Sequence, residues 1–187
     1  MRHTIIAGVT LALCVLAATP STAVTIISSE GVESRYSRSD YVTEADGKPL
    51  PVIVRGVPFT GMTQSSFDVA LINVLSATRQ PQPATRFTVH PIGGDGGSPY
   101  RLVMVFGPSD GLAFETQCGA PDTARFGTMP AGQVKVSVAL CRHGKVLSHA
   151  IASAMAADVD DPAFRMLFAE LFLALFPIDS PYLGNGA

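Results

Sequence analysis

The chain has 187 residues, 47% of them hydrophobic, and a formal net charge of −2. That length supports one domain with a sizeable core and is too short for two ordinary ones. The arginines are spread singly from Arg35 to Arg165 with no Lys/Arg cluster, so nothing general attracts nucleic acid or an anionic membrane surface.

Met1-Arg2-His3 is a short basic lead, Ile5 to Ala18 is an almost unbroken apolar run, and Ser21-Thr22-Ala23 ends in small residues. This three-part layout predicts a secretory signal peptide over residues 1–23, cleaved after Ala23. The apolar run is shorter than the ~20 residues a spanning helix needs, and Pro20 breaks it, so no transmembrane anchor is expected after cleavage. Lipidation at Cys14 is the competing reading, and Leu13 before it is too large for that processing.

Residues 24–49 are polar and mixed and read as a loosely ordered lead-in, with at most a short strand at Val24–Ile27. A single α+β domain is expected over 50–187. Val52, Ile53, Val54 and Val57 predict a first core strand bounded by Pro51 and Pro58. Ser65 with Asp68 predicts a helix start. Phe67, Ala70, Leu71, Val74 and Leu75 then recur at helical spacing until about Arg79.

Thr85 to His90 and Tyr100 to Phe106 read as two strands joined across Gly93–Gly97 by a loose hairpin loop. The second is apolar almost throughout, which predicts a central strand covered on both faces. Up to Thr128 no regular element is evident, although Phe114 and Cys118 are expected to dock on the core. Val134–Cys141 and Lys145–Met155 flank Arg142-His143-Gly144 as a β-hairpin.

Asp161-Pro162 is a helix start, and Phe164, Leu167, Phe168, Leu171, Phe172, Leu175 and Phe176 recur every three or four residues after it. The order of elements predicts an α+β two-layer sandwich, a mainly antiparallel sheet covered on one face by two helices. Met166, Leu173 and Leu183 extend the apolar surface beyond that stripe.

Export leaves two cysteines, Cys118 and Cys141, which predicts a disulfide in an oxidising compartment. Closing that loop would stabilise the fold by roughly 3 kcal/mol. Their spacing is not that of a catalytic dithiol.

No metal site is expected. His90, His143 and His149 lack ligand spacing, the five methionines from Met62 to Met166 are irregular, and Asp158, Asp160 and Asp161 do not form a calcium loop. Gly93–Gly97 matches no nucleotide-binding pattern, and no cofactor is expected. No G-x-S-x-G occurs.

These readings point to an exported periplasmic or cell-envelope binding or assembly protein without catalytic activity. Its partner would be an envelope protein or a second copy, contacted through Phe168, Phe172 and Phe176. The alternative is a secreted hydrolase whose site gathers His90, Asp95, Ser98 and His149 from distant loops, with a histidine base, an aspartate orienter and a serine nucleophile. A disulfide-stabilised structural component is a third reading.

Overall fold

The computed structural model describes residues 24–45, 47–78, 85–89 and 98–178. The expected signal peptide, His90, the Gly93–Gly97 stretch with Asp95, and Leu183 lie outside the described residues.

The stretch expected to be a loosely ordered lead-in is built into the fold. Strand β1 (Ile26–Val32) pairs antiparallel with a later strand, and helix α1 (Arg38–Ala45) follows, its first turn held by Asp40 N donating to Ser37 Oγ at 3.2 Å. Two tyrosines fix this segment. Tyr41 packs edge-on to Tyr100 and tilted on Phe176, with ring centroids 5.1 and 5.2 Å apart, while the Tyr36 hydroxyl donates to Pro177 O.

Strand β2 (Leu50–Arg55) alternates buried and half-buried residues, as a core strand with one face inward should. Pro51 sits inside it rather than at its boundary, next to its first residue where a missing donor is tolerated. Helix α2 (Gln64–Ala77) is capped two residues before the expected position. Thr63 is extended and its side chain accepts from Ser66 N, which places Ser65 inside the first turn. Phe67, Leu71, Val74 and Leu75 form its buried face.

Strand β3 (Phe87–Thr88) and strand β4 (Tyr100–Phe106) are not a hairpin. Both run parallel to β2 and lie on opposite sides of it. Helix α2 is the crossover that makes the β2–β3 pair parallel, as such pairs require.

A short helix, α3 (Phe114–Gly119), stands where no regular element was expected. Strands β5 (Gln133–Arg142) and β6 (Lys145–Met155) form the expected hairpin. His143 and Gly144 have φ of 49° and 75°, the pair of positive values that a tight two-residue turn between right-twisted strands demands. Helix α4 (Pro162–Leu175) is capped by Asp161, whose carboxylate accepts from Ala163 N and Ala157 N at 2.9 and 3.0 Å.

The result is a mixed α+β fold, a six-stranded sheet in the order β1-β6-β5-β4-β2-β3 flanked by helices, as the sandwich reading expects. Three of its strand pairs are antiparallel and the two involving β2 are parallel. On one face α2 and α4 cover Val52, Val54, Leu102, Met104, Val136, Val138 and the alanines of β6. Phe59, Phe67, Phe106, Phe164 and Phe168 interlock there at centroid distances of 4.9–6.5 Å. Burying each such side chain contributes about 1.5–3 kcal/mol.

The opposite face carries a smaller cluster of Val103, Cys118, Ala139, Cys141 and Val146 beneath α3. The expected disulfide is formed: Cys118 and Cys141 are bonded, with Cα atoms 5.7 Å apart, and tie α3 to β5. Beside it Gln117 is wholly buried. Its Nε2 donates to Val103 O and Ser137 O, and its Oε1 accepts from Ser137 Oγ, so this buried amide makes three hydrogen bonds.

Candidate functional site

The four residues named for a hydrolase site do not meet as far as they are described. His149 lies on β6, on the α3 side of the sheet, opposite Gly31 of β1. Its imidazole stacks on Phe114 with centroids 3.8 Å apart, and its Nδ1 is buried without a hydrogen-bond partner. Burial lowers its pKa from the ordinary 6.5, and Glu33 and Glu115 oppose that shift more weakly. The neutral ring acts as a wedge between β1 and α3.

Ser98 precedes β4, and its Oγ accepts from Tyr100 N at 3.2 Å. His149 pairs with Ala139 and Ala139 with Val103. Two strand spacings and three residues along β4 therefore put Tyr100 roughly 14 Å from His149. His90 and Asp95 are outside the described residues. The other serine beside His149, Ser148, is fully buried and donates to Leu175 O at the end of α4. Among the described residues no three His, Cys, Asp or Glu side chains gather as a metal ion would require.

The aromatic contact set is corrected. Phe168, Phe172 and Phe176 are 0–6% exposed and belong to the main core, so they offer nothing to a partner. Sheet and helix α2 already take that face. The apolar side chains α4 presents to solvent are Met166, 44% exposed, and Leu173, 66% exposed.

Leu173 forms one wall of a groove at the edge of the sheet. Ile27, Glu30 and Val32 pair with Ala152, Ala150 and Ser148, so they share the face that carries α4. Among the described residues nothing roofs that face beyond α4, and a groove of about 460 Å³ runs between β1 and the helix. Its floor is Ile27, Glu30, Gly31 and Val32, and its wall Glu170, Leu173, Ala174 and Pro177. Among the described residues the lining holds two carboxylates and no basic side chain. Periodicity along α4 carried this signal, since Met166, Glu170, Leu173 and Pro177 follow each other at four, three and four residues on the flank beside the buried stripe. That β1 would supply the other side was not legible, because only a short strand at Val24–Ile27 was read there and Glu30 and Val32 lie beyond it.

A recess beside β2, lined by Arg55, Asp68, Arg101 and Asp122, is mixed in charge. Arg55 pairs with Asp122, and Arg101 donates to Cys118 O, so these cations are engaged in holding α3 and the turn after it.

No helix among the described residues is long and apolar enough to cross a membrane. No protein family, no curated protein and no solved structure matches the chain.

Proposed function

We propose that this is an exported cell-envelope domain, periplasmic or extracellular, that works by binding or assembly and performs no catalysis of its own. The observation that carries the reading is the Cys118–Cys141 disulfide, whose cysteines are both fully buried. Such a bond persists in an oxidising compartment and is rare in a reducing one. It agrees with the leader layout of residues 1–23 and uses both cysteines that cleavage leaves. The binding half of the proposal rests on the groove between β1 and α4, which leaves Leu173 in solvent beside an edge strand. The groove's apolar lining, Ile27, Val32, Leu173 and Ala174, is the surface that a partner would cover.

Expression of the full chain in a bacterium, followed by fractionation and intact-mass measurement, tests the compartment. The expected product begins at Val24, sits in the envelope fraction and has no thiol that reacts without reductant. A product that keeps residues 1–23 in the cytosol with two reactive thiols would overturn the proposal. Turnover of an ester or peptide substrate that disappears in Ser98→Ala or His149→Ala would instead favour the hydrolase.

A further inference from the structure

We infer that the occupant of the β1–α4 groove is an amphipathic helix of a partner protein, its apolar stripe flanked by lysine or arginine; this rests on the docking reading above. The groove lies in the helix layer, over the face of the sheet that carries α2 and α4. A helix laid beside α4 at the sheet edge would rest its apolar stripe on Ile27, Val32 and Leu173.

An added strand fits less well. It would have to extend the sheet from β1, whose pairing with β6 shifts register between Ile27 and Ser29. Such a bulge twists an edge away from further pairing.

Charge selects among helices. Glu30 rises from the floor and Glu170 from the wall, both exposed, with no cation among the described lining residues to answer them. A helix that brings basic residues along the rim neutralises both carboxylates, while its stripe covers Leu173 and Ala174. An acidic helix would meet two like charges in the same place.

The test uses the mature disulfide-bonded chain and three labelled synthetic peptides: a leucine-striped helix flanked by lysines, its glutamate counterpart, and the lysine peptide with a central proline. Fluorescence anisotropy reads affinity, and amide chemical shifts read the place of binding. The lysine helix is expected to shift β1 and α4 and to bind on the order of tenfold more tightly than the glutamate helix. Glu30→Lys with Glu170→Lys should reverse that preference, and Leu173→Ser should weaken both; all three side chains are exposed, so the variants should fold.

Equal binding of the two charged helices overturns the inference, as does a proline peptide that binds as well as the helix. It also fails if the chain sediments as a dimer through this face, or binds the peptide only after removal of residues 179–187. A photo-crosslinker at position 173 in cells separates the two proposals. Adducts to an envelope protein without helix binding overturn the partner class alone, and the absence of any adduct overturns the docking reading too.

Discussion

Gly31 shows how one small residue is required by a neighbour rather than by its own backbone. Its φ is not positive, yet a Cβ there would come within 2.6 Å of His149 Cε1, and Phe114 closes the ring's other side. Gly31→Ala should therefore destabilise by about 1–3 kcal/mol through overpacking, against a gain of about 0.4–1 kcal/mol from the stiffer unfolded chain. In a His149→Ala background the same change should be neutral or stabilising, and a thermodynamic double-mutant cycle reads the difference. The imidazole also gives acid sensitivity. Because burial lowers its pKa from 6.5, the folded chain binds fewer protons than the unfolded chain between the lowered value and 6.5. Stability should fall as pH drops from neutrality through 6.5 into that window, with the denaturation midpoint as readout. His149→Phe, which keeps the stack on Phe114, should flatten that slope.

At the scale of elements, the helix starts differ in how they are held. Asp161 binds Ala163 N inside α4 and Ala157 N in the preceding turn, and these bonds hold its pKa below the ordinary 3.8. Asp161→Ala should cost about 0.5–2 kcal/mol in urea unfolding, and Asp161→Asn less, since its amide oxygen can still accept one of the two. Elements with strong internal pattern were legible before any coordinates: α4 from its phenylalanine stripe, the β5–β6 hairpin from its His143-Gly144 turn, β4 from its apolar run. Helix α1 was not, because what holds it is Tyr41 against Tyr100 and Phe176, contacts supplied by distant parts of the chain. Strands β3 and β4 were misread as a hairpin, where each instead pairs parallel with β2, for a related reason. Alternation along a strand reports its buried face and says nothing of its neighbour's direction. The groove was half visible, as the flank of α4 without the strand that faces it.

Across the whole molecule the two faces of the sheet are stabilised by different means. The α2–α4 face has an extensive aromatic core, whereas the opposite face relies on a six-residue helix too short to persist alone, the buried Gln117 and the disulfide. Replacing both Cys118 and Cys141 by alanine should cost roughly 2–5 kcal/mol. Hydrogen exchange should show protection lost first over Phe114–Gly119, while α4 stays protected. The pairing of β1 with β6, Ile26 opposite Ser153, joins segments far apart in the chain. Among the described residues β1 pairs with β6 alone, so the first strand lacks its partner until residues 145–155 are present, and closing so wide a loop costs more entropy than closing the local β5–β6 hairpin. The groove draws on both ends of the described fold, its floor on β1 and its wall on α4, and a chain cut before Pro162 has no such site.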